Sequence, residues 1–103
     1  MDKRKEKRIK KRAILQFGET EQSQKGFSAD ISKHGMQIKS ARILQTDKKI
    51  NIKVNLGDQE VQLQGVVCWN YELSGYSSLP KTMGIFFLNP PQEFMKYVEN
   101  LKE

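Results

Sequence analysis

The sequence predicts an all-β fold with one helix: a small antiparallel barrel of six or seven strands, a C-terminal α-helix and a flexible basic N-terminal arm. Three observations lead to this prediction: short segments that alternate apolar and polar residues, turn-forming residues between those segments, and an apolar stripe of helical spacing near the C-terminus. With 103 residues the chain forms one domain with a modest core. We expect the arm at residues 1–11 and the barrel at residues 12–103, with the helix at about residues 90–103.

The first half of the chain predicts three strands. Residues 13–17 are largely apolar and are followed by Gly18, and residues 26–31 alternate apolar and polar positions. Residues 32–35 are rich in turn formers, and the alternation resumes at residues 36–40. Two alternating segments around a short Gly-containing loop indicate a β-hairpin.

The second half of the chain predicts the remaining strands. Residues 50–56 show the clearest alternation in the chain, and residues 61–69 continue it after a Gly-Asp turn. The alternation is lost at residues 66–69, which predicts a bulge or a segment buried on both sides. Residues 70–82, rich in Ser, Gly and Pro, form the longest predicted loop, and residues 83–88 form the last predicted strand.

The C-terminal segment predicts a helix that covers the sheet. Asn89 precedes two prolines, and this order favours a strand end followed by a helix start, because Asn caps well and Pro is tolerated in the first turn. The apolar residues that follow have helical spacing; they are Phe94, Tyr97, Val98 and Leu101. Such a stripe needs a partner surface, which the sheet provides.

The charge of the chain is concentrated at its N-terminus. Residues 1–12 contain eight Lys and Arg side chains and two acidic ones, a balance of +6 that equals the net charge of the whole chain. A short cationic arm on a body without net charge indicates that the arm meets an anionic partner. The alternative is a solvated tail without a partner.

The sequence offers no catalytic or metal-binding constellation. His34 has no second histidine or cysteine at ligand spacing, and Cys68 lies in a predicted core strand, where we expect a small buried hydrophobe. Trp69 is expected in the core or at its rim, with stacking on a ligand ring as the alternative. A single cysteine cannot form an internal disulfide, which favours the cytoplasm. No apolar run approaches the roughly 20 residues of a membrane span.

Two short polar patterns remain, and together they carry a resemblance. They are Arg-x-x-x-Arg, at Arg4/Arg8 and again at Arg8/Arg12, and Asp-x-Ser-x-x-Gly, at Asp30, Ser32 and Gly35. In this order, before the first strand and after the second, they resemble the PilZ domain, a family whose members include receptors for the bacterial second messenger cyclic di-GMP. Residues 65–69, residues 83–87 and the C-terminal helix are also similar to that family, so the resemblance covers nearly the whole chain.

The resemblance implies that two arginines hold the ligand. Arg8 and Arg12 are the pair immediately before the first strand, where the family places its motif, and Arg4, Lys7 and Lys11 are ancillary. A planar guanidinium can bind a phosphate or the O6/N7 edge of guanine with two parallel hydrogen bonds, and it can stack on a purine, which lysine does less well.

The resemblance also implies roles for the second motif. Asp30 can accept hydrogen bonds from the guanine N1–H and amino groups, a donor pair that adenine does not present. Ser32 offers a hydroxyl to a phosphate, and Gly35 permits a positive φ and a close backbone approach. The alternative for Asp30 and Ser32 is a side-chain turn that only shapes the loop. Trp69 is an ancillary candidate.

The expected function is a non-enzymatic, cytoplasmic cyclic di-GMP receptor in bacterial motility or biofilm signalling. We expect the ligand to order the arm, and the ordered surface to act on an unidentified protein partner; the receptor is a monomer or a homodimer. No cofactor, membrane span or specific nucleic acid is expected. Two alternatives stay open: a PilZ-like interaction domain of a motility or pilus system that binds no nucleotide, and a small basic-armed barrel that binds RNA or DNA.

Overall fold

The computed structural model describes residues 8–71 and 81–101, which form strands and one helix around a single core. The elements are β1 (Ile9–Lys10), β2 (Ile14–Gly18), β3 (Gln24–Ile31), β4 (Gly35–Ser40), β5 (Lys49–Asn55), β6 (Glu60–Tyr71), β7 (Lys81–Phe87) and α1 (Gln92–Glu99). The predicted small barrel with a C-terminal helix is confirmed.

The described strands form one antiparallel sheet that closes on itself. The strand order is β1-β3-β2-β5-β6-β7-β4, and a further pairing of β3 with β4 completes a ring of six strands. Strand β1 is the extra strand: it pairs with the end of β3 while β2 pairs with its beginning. A closed ring leaves few free strand edges, which protects a small β protein from edge-to-edge association.

The barrel interior follows from the period-2 pattern of the strands. In β5, the side chains of Ile50, Ile52 and Val54 are buried while the residues between them face outward. The largest side chains without solvent exposure come from several strands and the helix; they include Phe17, Phe87, Phe94 and Leu15. The core is therefore built from alternating positions, as the sequence predicts.

Helix α1 closes one end of this core. Phe94 and Val98 are buried, and the Phe94 ring meets the Phe87 ring edge to face, with centroids 5.2 Å apart. The N-cap is Pro91, without a side-chain cap; Asn89, which the sequence predicts as the cap, instead adopts a left-handed turn with φ of 49°. Asn tolerates that conformation better than most residues. In the part of the chain that the structure describes, no helix combines the length and the hydrophobicity that a membrane span requires.

The sheet begins earlier than the predicted first strand. Ile9 and Lys10 pair with Ile31 and Asp30, and the Ile9 side chain is buried. One buried apolar side chain is enough to hold this short strand in place, because β3 has an unpaired edge beside it. Residues 1–7 lie outside the described residues, so the flexible arm and its boundary with the barrel stay predictions.

The irregular segment at residues 66–69 contains the predicted bulge. The pairing of β6 with β7 shifts between Val67 and Trp69, which leaves Cys68 as the extra residue. Cys68 is exposed, so its predicted burial is wrong: the bulge places its side chain outside the core. Strand pairing also extends into the predicted loop, since Tyr71 pairs with Thr82; residues 72–80 lie outside the described part of the chain.

Candidate functional site

A line of directly paired residues crosses five strands on the outside of the barrel. In order it consists of Lys10, Asp30, Gln37, Gly84 and Trp69. Directly paired residues share one face of a sheet, so a carboxylate, an amide, a bare backbone and an indole lie side by side. A Cβ atom on Gly84 would lie 2.2 Å from Trp69 Nε1, so the indole rests on the glycine backbone.

The Arg8 side chain joins this line at its charged end. Its Nη2 atom donates a hydrogen bond of 3.0 Å to Asp30 Oδ1, and the two side chains are 50% and 24% exposed. An ion pair with this much solvent contact contributes at most about 1 kcal/mol. The pair therefore holds a cation and a carboxylate together without locking either group away from an incoming ligand.

A groove of about 210 Å³ begins at Arg8 and runs toward β6 and β7. We call it the Arg8 groove; its lining residues are Arg8, His34, Gly35, Cys68, Trp69, Gly84, Ile85 and Phe86. Trp69 and Phe86 are 43% and 52% exposed. The groove thus combines one fixed cation with two exposed aromatic rings, the groups that bind a phosphate and stack on a base.

The turn between β3 and β4 forms one wall of the groove. The Ser32 side chain is buried, and its N–H and hydroxyl donate to the Gly35 carbonyl at 2.8 and 3.2 Å. The Ser32 hydroxyl thus acts within the turn. A Cβ on Gly35 would lie 2.5 Å from the Ile85 carbonyl, so the expected close backbone approach is present. The expected positive φ is absent at Gly35; among the described glycines it occurs at Gly57.

A salt bridge ties this turn to the helix. Lys33 Nζ lies 2.7 Å from Glu99 Oε2. The hydrogen bond and the positive charge of Lys33 lower the pKa of Glu99 below its ordinary value. The last turn of α1 and the wall of the Arg8 groove are therefore in direct contact.

The second predicted arginine occupies a different place. The Arg12 guanidinium lies over the Phe27 ring, 4.1 Å from its centroid, whereas Asp30 pairs with Arg8. The structure thus brings Arg8, Asp30 and Gly35 together around one groove edge and places Arg12 further along β3. Arg4 and Lys7 lie outside the described residues, and Lys11 is half-buried beside β3.

Sequence reasoning missed two neighbours of the site. Gln37 pairs directly with Asp30 across the hairpin, and counting outward from the turn in the sequence would have found it. Phe86 lies in a wholly apolar segment, which gives no signal for the face on which a ring emerges. Within the described residues, no group of three His, Cys, Asp or Glu side chains forms a metal site.

Comparison with known families decides what kind of domain this is. The PilZ domain model matches residues 2–102, nearly the whole chain. The chain belongs to the PilZ domain family. PilZ domains are receptor and effector domains rather than enzymes, and the family includes cyclic di-GMP-binding members.

Solved structures share the PilZ fold with this chain. The Bacillus subtilis inhibitor of motility MotI/DgrA has a TM-score of 0.77 and 14% identity, covering 95% of this chain and 48% of that one. The PilZ domain of Escherichia coli YcgR with cyclic di-GMP has a TM-score of 0.73 and 18% identity, covering 95% and 87%. YcgR in complex with cyclic di-GMP has a TM-score of 0.74 and 18% identity, covering 96% and 44%.

These likenesses concern the fold. The chain spans about half the length of the MotI structure, at 48%, and of the YcgR complex, at 44%. A comparison with the curated proteins found no match.

Proposed function

We propose that this PilZ domain is a cyclic di-GMP receptor that binds the dinucleotide along the Arg8 groove. One observation carries the proposal: Arg8, which is ion-paired with Asp30, lines the same groove as the exposed indole of Trp69. The structures of YcgR with cyclic di-GMP make this ligand the first to test.

The chemistry of the groove suits a guanine dinucleotide. The Asp30 carboxylate accepts from guanine N1–H and the amino group, the Arg8 fork binds a phosphate or the O6/N7 edge, and the Trp69 face receives a purine. Adenine presents no matching donor pair to a carboxylate. Ser32 and Gly35 keep the turn in shape beside the ligand.

Ligand binding requires the Arg8–Asp30 pair to separate. Because both side chains are partly exposed, opening the pair costs at most about 1 kcal/mol. The ligand offers each group a better partner, since phosphate replaces the carboxylate on Arg8 and guanine replaces the guanidinium on Asp30. The pair thus orients two binding groups at a low opening cost.

Arg12 joins the ligand by leaving the Phe27 ring. A cation–π contact at an exposed site contributes about 0.5–1 kcal/mol, less than a charged hydrogen bond to phosphate. Arg4, Lys7 and Lys11 add phosphate affinity. We further propose that this contact orders the basic arm against the barrel and that the ordered surface engages a separate protein.

The proposal also covers the partner, the location and the oligomeric state of the receptor. MotI is an inhibitor of motility, so a protein of a motility system is the partner class to examine first. We propose a cytoplasmic receptor, in keeping with its single unpaired cysteine, that acts as a monomer or a homodimer.

Isothermal titration of the full chain tests the proposal. We expect micromolar or tighter binding of cyclic di-GMP, with cyclic di-AMP and GMP much weaker, and loss of binding in Asp30→Ala and Arg12→Ala. Asp58→Ala, which removes an exposed carboxylate from a turn, is the control and should bind as the wild type does.

Other outcomes identify the competing functions. No response to cyclic di-GMP in the amide spectrum would favour an interaction domain without nucleotide. Binding that falls steeply with salt and is indifferent to Asp30→Ala would favour sequence-blind contact with RNA or DNA.

A further inference from the structure

The segment that joins β1 to β2 contains Arg12, and the pairing with β3 changes register there. Lys11 N–H donates to the Ala29 carbonyl, and Ser28 N–H donates to the Ala13 carbonyl. The pairing offset with β3 differs by one residue between these two bonds, so Arg12 has no ladder partner of its own. Arg12 is therefore the extra residue of a bulge, and its side chain is exposed, as are those of Arg8 and Lys10.

The Ser28 hydroxyl fills the gap in this ladder. It accepts a hydrogen bond of 2.9 Å from Ala13 N–H and donates one of 2.5 Å to the Lys11 carbonyl. These two backbone groups immediately flank Arg12. The Ser28 side chain is fully buried, so water does not supply either bond in its place.

Removing this hydroxyl would leave two backbone groups without partners. Buried polar groups of the main chain are nearly always paired, and the cheapest repair is for the chain to slide into regular register with β3. A slip of one residue turns side chains to the opposite face of the sheet. Such a slip would move Arg8 relative to Asp30 and Arg12 relative to Phe27.

We propose that Ser28 is a positioning residue for ligand binding: its hydroxyl clamps the bulge so that Arg8 stays beside Asp30 and Arg12 stays beside Phe27 on the outer face of the barrel. Ser28 touches no ligand in this role. The proposal rests on the proposed function only for its consequence on cyclic di-GMP, because the placement of Arg12 over Phe27 can be measured without any ligand.

The experiment compares two buried serines in the full chain. Ser40 is the matched control, because its hydroxyl also bridges two backbone groups, away from the bulge. It donates a hydrogen bond of 2.7 Å to the Lys25 carbonyl and accepts one of 3.2 Å from Arg42 N–H. Ser28→Ala and Ser40→Ala should lower thermal stability to a similar degree. If the two variants then differ in the Arg12 signal or in ligand affinity, lost stability does not explain the difference, and the position of Arg12 does.

Two readouts separate position from stability. The Nε–Hε proton of Arg12 is shielded by the Phe27 ring, and Ser28→Ala should shift this NMR signal toward its random-coil position while Ser40→Ala leaves it in place. Ser28→Ala should also weaken cyclic di-GMP binding about tenfold, the loss expected when charged hydrogen bonds are misplaced, with Ser40→Ala within about twofold of wild type.

The outcomes are distinguishable. An Arg12 signal that stays in place in folded Ser28→Ala, with affinity no lower than in Ser40→Ala, overturns the clamp. If the Arg12 signal moves in Ser28→Ala but the wild type binds no cyclic di-GMP, the clamp is retained and the proposed receptor function is rejected. If Ser28→Ala does not fold, Ser28→Cys is measured instead, because a thiol fills the site, being somewhat larger than a hydroxyl, but forms much weaker hydrogen bonds; an Arg12 signal that stays in place there also overturns the clamp.

Discussion

Two grooves on the barrel surface differ in size and in chemistry. The Arg8 groove has a volume of about 210 Å³, and a second groove, of about 380 Å³, lies across β5, β6 and the start of α1. We call the second the amide groove; its lining residues are Asn51, Gln62, Leu63, Gln64, Leu88, Asn89 and Pro91. The larger groove is lined by neutral side chains, whereas the smaller one contains Arg8.

The difference lies in which polar groups are already satisfied. In the amide groove, Gln64 donates to Asn51 at 3.1 Å, and Gln22 donates to Gln62 at 3.0 Å, so neutral amides pair with one another. The Arg8 groove instead holds a cation whose partly exposed carboxylate partner can be exchanged, beside two exposed rings. Charge and stacking surface, rather than volume, mark a site for an anionic purine ligand.

Among the variants that compare the two grooves, the largest expected effect comes from removing the charged end of the Arg8 groove. Arg8→Ala should weaken cyclic di-GMP binding about thirtyfold, or ~2 kcal/mol, because it removes a fork from the ligand and leaves Asp30 without its cation. Gln64→Ala in the amide groove is the control, with an affinity within about twofold of wild type. Isothermal titration checks both, and equal losses in the two variants would erase the distinction between the grooves.

The next variant displaces Trp69 at the aromatic end of the Arg8 groove. Gly84→Ala would place a Cβ atom 2.2 Å from Trp69 Nε1 and so push the indole off its backbone support. We expect a changed tryptophan emission spectrum and an affinity about tenfold lower, in the range of one lost base–aromatic stack. The double variant with Trp69→Ala should be no weaker than Trp69→Ala alone; additive losses would mean that Gly84 acts by another route.

A third variant measures how far the binding surface extends from the Arg8 groove along β3. Phe27→Leu removes the ring that holds Arg12, so the ligand no longer competes with it. If Arg12 joins the ligand, affinity should rise about threefold, corresponding to the ~0.5–1 kcal/mol of an exposed cation–π contact. Unchanged affinity in titrations of Phe27→Leu would limit the site to Arg8 and the groove itself.

The smallest expected effect concerns the helix, which begins at the amide groove and ends at the turn beside the Arg8 groove. Lys33 lowers the pKa of Glu99, so the ionised carboxylate stabilises the fold above its ordinary pKa of 4.5, and this contribution disappears as the pH falls through the lowered value. Thermal unfolding should show a small advantage of wild type over Glu99→Gln at neutral pH that vanishes in acid. An advantage that grows in acid would contradict this assignment.

The Glu99→Gln variant also tests what holds the turn between β3 and β4. Because Ser32 and Gly35 bond to each other within the turn, Glu99→Gln should leave cyclic di-GMP affinity within about twofold of wild type. A larger loss would show that the helix end supports the Arg8 groove.

The class of fold and the family can be read from the amino-acid sequence alone. Alternation at residues 50–56 predicted the buried face of β5, the apolar stripe predicted the packing of Phe94 and Val98, and the loss of alternation predicted the bulge near Cys68. These features are readable because a side chain's face follows from its place in a local repeat of two residues or 3.6 residues. Two motifs in the right order were enough to indicate the PilZ domain.

The contacts between the site residues, in contrast, depend on how distant strands pair. Nothing local to the basic segment tells Arg8 from Arg12; the pairing of Ile9 with Ile31 brings Arg8 to Asp30, and the bulge clamped by Ser28 sends Arg12 to Phe27. The outward face of Cys68 likewise depends on a register shift against β7. Such registers are set by pairing between strands distant in the chain, and a local repeat carries no information about them.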